Sequence, residues 1–295
     1  MSELTAFIEQ RYRSPDNKWQ RAVEQIELLW EKFRPFADPD FVQGFCTNNH
    51  VNFQQRYWEL FMGAYLIDQG IALNPNNGDG PDFSFDIAGR RVWVEAISPG
   101  PGDGNNRVPD NRPSTPNVVE VFDAPVIPVL LRHTAAIDEK FRKYQRYRER
   151  GVVGPSDPFL IAVDSSQLGL SGFEGGSGFP AALEAVYPLG AMQVHFAVGS
   201  PEQTRTDHQY RPAVQNANSA NVQTTRFLDE AYAGISGIIA ADRCDVYLLN
   251  YPIRPVVLVH NKVATNPIPE GQLKVDFEYH IEEQAGGYTI RRTGR

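Results

Sequence analysis

The 295-residue chain has 41% hydrophobic and 22% charged residues, an ordinary globular composition that fits one large domain or two small ones. Its net charge of -8 argues against a protein that coats nucleic acid nonspecifically, because phosphate contacts need a basic surface. A local basic groove remains compatible with that charge. No segment approaches the roughly 20 apolar residues of a membrane helix, and the first residues lack the apolar core of a signal peptide. Because Cys46 and Cys244 make neither a disulfide framework nor a zinc site, we expect a cytoplasmic protein.

Hydrophobic spacing predicts two helices in the first quarter of the chain. Residues 16–34 carry apolar side chains at helical intervals, and residues 52–69 form a second, more apolar pattern. Asn52 can cap the start of the second helix, and Gly70 ends it. A loop dense in Asn, Gly and Pro follows. Two short strands, at 83–87 and 91–97, are separated by Ala-Gly-Arg, a spacing that predicts a tight hairpin.

The rest of the chain predicts a long loop, one more helix and several strands. Residues 98–118 are rich in Gly and Pro and indicate either a substrate lid or a disordered loop. Residues 134–150 predict a basic helix that Gly151 ends. Core strands are expected at 159–166, 192–199, 235–243, 245–250 and 255–261, with 274–283 as a closing strand.

This order of elements predicts an α/β fold with a central mixed β-sheet flanked by helices. We expect residues 1–49 to form an N-terminal helical segment packed on an α/β domain of residues 50–295. Within that domain, a polar insertion is expected near residues 200–224.

The hairpin brings two carboxylates together. If Ala88 and Gly89 form the turn, Asp82 faces Glu95, and opposed residues in an antiparallel pair lie about 4.5–5.5 Å apart. Two like charges repel at this distance, whereas a divalent cation between them reverses the sign of the interaction. The alternative is a turn residue after Gly80-Pro81 and a Glu95 on a solvated strand face. However, the strand around Glu95 is apolar on both faces, where an unpaired carboxylate is costly.

Two further charged residues lie on predicted apolar faces. Glu59 is a lone carboxylate on the apolar second helix, where it needs either a shared site or an ion pair with Arg56. Lys140 falls between Ile137 and Tyr144 on the apolar stripe of the basic helix. An inward lysine could steady an attacking water or a phosphate charge, and the alternative is a lysine that covers apolar surface while its head reaches water.

These residues, in this order, resemble the PD-(D/E)XK nuclease superfamily, which has the restriction-endonuclease-like fold. Its signature is a helical Glu, then Pro-Asp opening a strand, then Glu-x-Lys in the next strand. Glu59 in QRYWELFMGAYLIDQG, Pro81-Asp82 in GPDFSFDI and Glu95 in VWVEAI match it. The resemblance covers roughly residues 50–165, and the later strands are compatible with it but carry no motif.

The chain departs from the signature at one position. The motif lysine is expected two residues after Glu95, where the chain has Ile97. Some members of the superfamily supply the lysine from a neighbouring helix instead. Lys140 is the natural candidate for that role here, and Lys143 is the second.

The resemblance implies metal-assisted hydrolysis of phosphodiester bonds in nucleic acid, with DNA as the expected substrate. Asp82 and Glu95 would hold Mg2+, for which Mn2+ could substitute, and Glu59 would orient a metal-bound water or complete the shell of a second ion. Lys140 would stabilise the nucleophile or the phosphate. Many such nucleases work as homodimers. A basic strip on the same helix could face the nucleic-acid backbone or be a solvated face; it comprises Arg132, Lys140, Arg142, Lys143, Arg146, Arg148 and Arg150.

Three functions remain open on these residues. The first is a Mg2+-dependent nuclease, perhaps of a restriction or phage-defence system. The second, favoured by Ile97, is a non-catalytic nuclease-fold module that binds nucleic acid or a partner protein. The third is an unrelated α/β hydrolase, which the absence of a Gly-x-Ser-x-Gly elbow disfavours although the chain has His133, His195, His208 and His260.

Overall fold

The computed structural model describes residues 2–12, 20–109, 124–168, 176–199, 203–241, 255–284 and 287–294. Its helices are α1 (Glu3–Arg11), α2 (Gln20–Phe33), α3 (Phe41–Phe45), α4 (His50–Asp68), α5 (Val126–Glu149) and α6 (Ala181–Glu184). Its strands are β1 (Phe83–Ile87), β2 (Arg90–Ile97), β3 (Phe159–Asp164), β4 (Leu189–Phe196), β5 (Gln203–Tyr210), β6 (Ala213–Gln215), β7 (Asn221–Gln223), β8 (Gly237–Ala241), β9 (Val257–His260), β10 (Phe277–Gln284) and β11 (Gly287–Gly294).

Seven of these strands form one sheet in the order β1-β2-β3-β8-β9-β10-β11. The β2, β3 and β8 strands run parallel to one another, as do β9 and β10, whereas the other neighbouring pairs are antiparallel. The sheet is therefore mixed, and helices pack on both of its faces. The predicted α/β fold with a mixed sheet flanked by helices is confirmed.

Two apolar cores cover the two faces of the sheet. The first, here the α4-face core, joins α1–α4 to side chains such as Val94, Leu160 and Leu258. The second, here the α5-face core, joins α5 and α6 to side chains such as Ile161 and Val163. Neighbouring residues along a strand alternate between the two cores, because successive side chains point to opposite faces of a sheet. Buried on both faces, β3 is apolar from Phe159 to Val163.

The β1–β2 hairpin has the predicted register. Ile87 pairs with Arg90 and Asp86 pairs with Arg91, across a two-residue turn. The turn residues Ala88 and Gly89 have φ values of 50° and 77°. Positive φ at both positions is typical of the tight turn whose twist matches that of the flanking strands. This turn fixes the pairing as far as Phe83 and Val94, and one further step outward puts Asp82 opposite Glu95.

The boundaries of α4 and α5 differ from the predictions. The α4 helix begins at His50, because the side chain of Asn49 accepts a hydrogen bond from the Asn52 N–H at 3.2 Å. The prediction that Asn52 is the cap was therefore wrong by one turn. The α5 helix begins at Val126, eight residues before the expected start, because its apolar first turns pack into the α5-face core. Gly70 and Gly151 follow the ends of the two helices as expected.

Two predictions about the later strands were wrong in part. The β4 strand is not a core strand: among the described strands it pairs with β5 alone, and Met192, Val194 and Phe196 are exposed on this two-stranded arm. The polar stretch near residues 200–224 contains β5, β6 and β7, which lie outside the seven-stranded sheet. The β10 strand does not close the sheet, because β11 follows it through an antiparallel pairing.

Two segments named in the sequence predictions fall outside the described residues, namely the strand at 245–250 and residues 110–118 of the loop predicted at 98–118. Among the described helices, none combines the length and apolar character that a membrane crossing requires.

We predict that Gly63→Ala destabilises the protein, because this glycine is the point where α4 meets α2. A Cβ added at Gly63 would lie 2.3 Å from Phe33 Cδ2. Overpacking of this kind costs about 1–3 kcal/mol, against about 1 kcal/mol gained from helix propensity. A lower urea midpoint in equilibrium unfolding would measure the loss. Shortening the clashing side chain with Phe33→Leu should relieve part of the cost in the double variant, and additive effects of the two changes would contradict the account.

Candidate functional site

A polar cleft of about 910 Å³ opens beside the carboxyl end of β2. The α4 helix forms one of its walls, the loop before β1 forms another, and α5 forms a third. The cleft is lined by Glu59, Asp82, Lys140 and Lys143 from three different segments. Residues far apart in the sequence therefore converge at the place where the motif residues were expected to meet.

Glu95 is buried at the base of this site, with 1% of its surface exposed. Its Oε1 accepts hydrogen bonds from Lys140 Nζ at 3.0 Å and from Lys143 Nζ at 2.8 Å. The Tyr147 hydroxyl lies 3.4 Å from Oε2. Glu95 thus does not lie on a solvated strand face. Its burial is tolerated because two ammonium groups compensate a charge that would otherwise be costly to remove from water.

Lys140 and Lys143 both reach the site, although they lie at different depths. Lys140 is 4% exposed and lies wholly inside the protein, whereas the side chain of Lys143 is 36% exposed at the mouth of the cleft. Burial opposes the charged form of Lys143, but the Glu95 carboxylate outweighs it and raises the pKa of that lysine. Because Lys140 is buried and its ammonium group donates to Glu95, this group points into the protein and not to the surface.

Asp82 is half-buried and adjoins the same carboxylate. Its Oδ2 accepts a hydrogen bond from the Ala96 N–H at 2.7 Å, which fixes the loop before β1 against β2. Burial raises the pKa of Asp82 well above its ordinary value of 3.8, and repulsion from Glu95 and Glu59 adds to that effect. Among the described residues, no hydrogen bond reaches its second oxygen, Oδ1. A carboxylate with one free oxygen and repelling acidic neighbours is suited to a cation.

Glu59 approaches the cleft from α4 and is 5% exposed. It accepts hydrogen bonds from Gln55 Nε2 at 2.9 Å and from Arg56 at 2.6 Å, and Arg56 also bonds Asp38 at 2.5 Å. Burial raises the pKa of Glu59 in spite of the adjacent guanidinium. The predicted ion pair with Arg56 is present in the structure, and Glu59 also lines the cleft.

Gln55 attaches α4 to the end of β2, a role that the sequence analysis missed. Its Nε2 donates to the Ala96 carbonyl at 3.1 Å, and its Oε1 accepts from the Ser98 N–H at 2.9 Å. The side chain satisfies two backbone groups where β2 leaves the sheet. Its position one turn before Glu59, on the same side of the helix, was the available signal.

Tyr147 is the second residue that the sequence analysis did not assign to the site. Its hydroxyl lies 3.2 Å from the Gly80 carbonyl and is also close to Glu95. Burial and the charge of Glu95 raise the pKa of Tyr147, so the phenol stays protonated and can donate a hydrogen bond. It lies one turn beyond Lys143 on α5, where the apolar spacing of the helix marks it only as a core residue.

The charges around the cleft do not balance. Six carboxylates face five cations, which leaves one negative charge when all are ionised. The carboxylates are Asp38, Asp40, Glu59, Asp82 and Glu139, with Glu95 at the base of the site, and the cations are Arg56, Arg132, Lys140, Arg142 and Lys143. Carboxylate oxygens are the ligands that Mg2+ prefers, and it requires only one or two of them together with water. The donor set of this site therefore fits the implied ion.

The basic strip of α5 is divided by the structure. Arg132, Lys140, Arg142 and Lys143 line the cleft, whereas Arg146, Arg148 and Arg150 lie outside it. The adjacent acidic side of the helix is not simply solvated, since both oxygens of Asp138 bond Arg226 at 2.6 Å. A buried arginine 88 residues away gave no local signal in the sequence. Only the amino-terminal and middle parts of the strip can contact a ligand in the cleft.

Ile97 and His133, two further residues considered in the sequence analysis, contact other side chains of the protein interior. Ile97, at the position of the motif lysine, is 7% exposed and belongs to the α5-face core. His133 hydrogen bonds the Ser165 hydroxyl at 3.0 Å, but both residues are buried and neither lines the cleft. The pair is therefore poorly placed to attack a substrate there.

Comparisons of the chain with models of protein families, with curated proteins and with solved structures found no match. The resemblance to the PD-(D/E)XK superfamily thus stays a prediction, which depends on the motif residues and on the arrangement described above.

We predict that Asp82→Asn raises the thermal stability of the metal-free protein at pH 8. A raised pKa means that ionisation of Asp82 is less favourable in the folded chain than in the unfolded one. The carboxylate therefore destabilises the fold above its ordinary pKa, and this penalty disappears as the pH falls towards 4. A penalty of about 1 kcal/mol corresponds to a gain of about 2–4 °C in Tm.

Calorimetry in EDTA at pH 8 and at pH 4 measures both parts of this prediction. The matched control is Asp86→Asn, since Asp86 is exposed on β1 and pairs with Arg91 at 3.4 Å. A lower Tm for Asp82→Asn at pH 8 would contradict the prediction, because it would mean that the ionised carboxylate stabilises the metal-free fold.

Proposed function

We propose that this protein is a Mg2+-dependent nuclease that hydrolyses phosphodiester bonds of nucleic acid, with DNA as the expected substrate, in a restriction or phage-defence system. The observation that supports this most strongly is the contact of two α5 lysines with Glu95, at 3.0 and 2.8 Å. The chain lacks the motif lysine on β2, and a neighbouring helix supplies ammonium groups to the same carboxylate. The chemistry that Ile97 cannot provide is thus available from α5.

Asp82 and Glu95 are the residues that would hold the metal, and Glu59 would complete its surroundings. When bound, Mg2+ lowers the pKa of a coordinated water and neutralises charge that develops on the phosphate. The Ala96 N–H keeps Asp82 Oδ2 in place, so Oδ1 is the oxygen left to face the ion. Arg56 and Gln55 hold Glu59 in a fixed orientation through its two oxygens.

Lys140 is the group of this chain best placed to act on the attacking water. Its buried ammonium contacts Glu95, and its charge acts to lower the pKa of Asp82, so it affects both carboxylates that would hold the metal. A fixed positive charge in a site that excludes water stabilises negative charge more strongly than the same group in solvent. Lys140 would orient the nucleophile and stabilise the charge that develops during its attack.

Lys143, Arg132 and Arg142 would bind the phosphate backbone at the mouth of the cleft. All three line it, and Arg142 is exposed. A chain with a net charge of -8 repels nucleic acid in general, so a local basic wall is needed to guide the backbone towards the acidic centre. In this proposal the cations at the mouth of the cleft bind the substrate, and the buried Lys140 acts on the reacting atoms.

The same arrangement would be a poor device for stability alone. Buried ion pairs contribute little net stability, because desolvation of both partners offsets their attraction. Here the repulsion among Asp82, Glu95 and Glu59 adds a further penalty. Strained or repelling groups collected in one cleft are typical of a functional site.

A second candidate is a non-catalytic module that binds nucleic acid or a partner protein. The observation that favours it is Ile97, which is buried in the core at the position of the motif lysine. The cleft would then bind phosphate without cutting. Only the nuclease predicts cleavage, whereas the non-catalytic module predicts binding of nucleic acid or of a partner protein without cleavage, so a cleavage assay discriminates the two.

We predict that purified wild-type protein cleaves DNA in Mg2+ and not in EDTA, and that Asp82→Asn lowers the rate at least 100-fold. The loss follows from removal of a metal ligand, although the same variant should be more stable without metal. Cleavage is measured on plasmid and on linear single- and double-stranded DNA, with RNA in parallel. Asp86→Asn should cleave at the wild-type rate. Binding of DNA without cleavage under all of these conditions would favour the non-catalytic module.

We further predict that the two lysines have different kinetic roles. Lys140→Met should lower kcat by about 100- to 1,000-fold with little change in KM, because a charge acting on the reaction is lost. Lys143→Met should mainly raise KM, because a charge that binds the substrate is lost. Lys32→Met is the control, since Lys32 pairs with Asp68 on the surface at 2.7 Å. Equal effects of Lys140→Met and Lys32→Met would contradict the role of Lys140.

A further inference from the structure

A cluster of two histidines and one glutamate lies on neighbouring strands remote from the cleft. Glu278 pairs with Leu258 between β10 and β9, and the same parallel register places His280 beside His260. Glu278 and His280 are two residues apart on β10 and therefore project from the same face. The imidazole rings of the two histidines stack, with centroids 3.9 Å apart.

The potential ligand atoms of the cluster are close together. One ligand atom from each of His260, Glu278 and His280 lies within 4.8 Å of the others. His260 Nε2 is 2.7 Å from Glu278 Oε2, and His280 Nε2 is 3.9 Å from the same oxygen. Ligands of a tetrahedral zinc ion at about 2.0–2.1 Å lie about 3.3 Å apart, so no pair must move by more than about 1.5 Å.

Two further features indicate that the cluster has room for a ligand. His280 Nε2 is buried, yet it has no hydrogen-bond partner within the part of the chain that the structure describes. A buried polar atom left without a partner is costly, and metal binding would satisfy it. The second oxygen of Glu278 accepts a hydrogen bond from the Gly271 N–H at 2.8 Å, an outer contact that holds a metal-binding carboxylate in orientation.

The surroundings of the cluster are compatible with a divalent ion. Glu270 Oε2 lies 3.5 Å from His280 Nε2, at the edge of the cluster. The neighbouring cation Arg291 is engaged by Glu270 at 2.9 Å and by Glu282 at 2.5 Å. With the Glu278 carboxylate included, three acidic groups adjoin a single guanidinium. The local charge therefore favours a cation.

The cluster is distinct from the cleft described above. His260 and Glu278 project on the α4 face, since Leu258 belongs to that core and lies two residues before His260. Glu95 projects on the opposite face, because its partner Ile161 belongs to the α5-face core. Two strands separate β2 from β9, which corresponds to about 14 Å at three inter-strand spacings.

We propose that His260, Glu278 and His280 form a second metal site, which binds Zn2+ or a similar late first-row divalent ion. Two imidazoles and one carboxylate suit such an ion better than Mg2+, which prefers oxygen ligands alone. The ion would join β9, β10 and, through Gly271 and Glu270, the segment that precedes β10. It would stabilise this end of the sheet, and the proposal does not depend on nuclease activity.

The test is Zn2+ binding by full-length protein that has been freed of metal with a chelator and returned to excess Mg2+. Titration calorimetry and metal analysis should give one Zn2+ per chain in wild type and in Asp82→Asn, which removes a ligand from the cleft. His280→Ala should weaken Zn2+ binding at least tenfold. Zn2+ should raise the Tm of wild type and not that of His280→Ala.

His195→Ala is the matched control, since His195 bonds Asp207 on the exposed β4–β5 arm at 2.9 Å. It should bind Zn2+ like wild type. Co2+ substitution gives a readout that needs no variant to fold, because nitrogen and oxygen ligands at a tetrahedral site produce a visible absorption band. Absence of that band, absence of stoichiometric Zn2+, or equal binding by folded His280→Ala would overturn the proposal.

Discussion

The burial of the Glu95 carboxylate is the constraint that shapes the central part of this molecule. The residue lies in β2 between two apolar cores, where an unpaired charge would cost several kcal/mol. Two lysines must therefore point inward from α5, and this requirement fixes the rotation of the helix against the sheet. The same rotation brings Tyr147 to the site and directs Arg142 to the mouth of the cleft. A single charged residue thus couples the packing of α5 to the electrostatics of the proposed centre.

The site is assembled from both faces of the sheet, although each contribution depends on a different physical cause. The hairpin turn sets the distance between Asp82 and Glu95 by register, and a backbone hydrogen bond holds Asp82 in place. From the other face, Gln55 ties α4 to the end of β2 and so brings Glu59 to the cleft. The carboxylates brought together in this way repel one another. The fold remains stable because the large apolar cores on the two faces of the sheet outweigh this repulsion. Repulsion among these carboxylates lowers the stability of the metal-free protein, and a bound cation would remove that repulsion.

Turn residues and hydrophobic spacing predicted the features of the fold and of the site that depend on residues close together in the sequence. The hairpin register followed from two turn residues, and the place of Lys140 on the apolar stripe followed from helical spacing, which left open whether its head turns inward or to water. The sequence named Lys143 as the second candidate, but it could not show that both lysines contact the same carboxylate. The bond between Asp138 and Arg226 spans 88 residues, a separation over which periodicity carries no information. The prediction of β4 as a core strand failed for a related reason. An apolar segment indicates that a strand forms, but it does not indicate with which strand it pairs.

The proposed nuclease depends on a divalent metal ion held by Asp82 and Glu95, with Glu59 beside them. Crystals of the protein grown with Mn2+ would show whether this ion is bound, because anomalous scattering locates it without any assumption about activity. We expect one anomalous peak between the carboxylates of Asp82 and Glu95, and its loss in Asp82→Asn. A cleft with no peak at saturating Mn2+, or a peak that persists in Asp82→Asn, would contradict it.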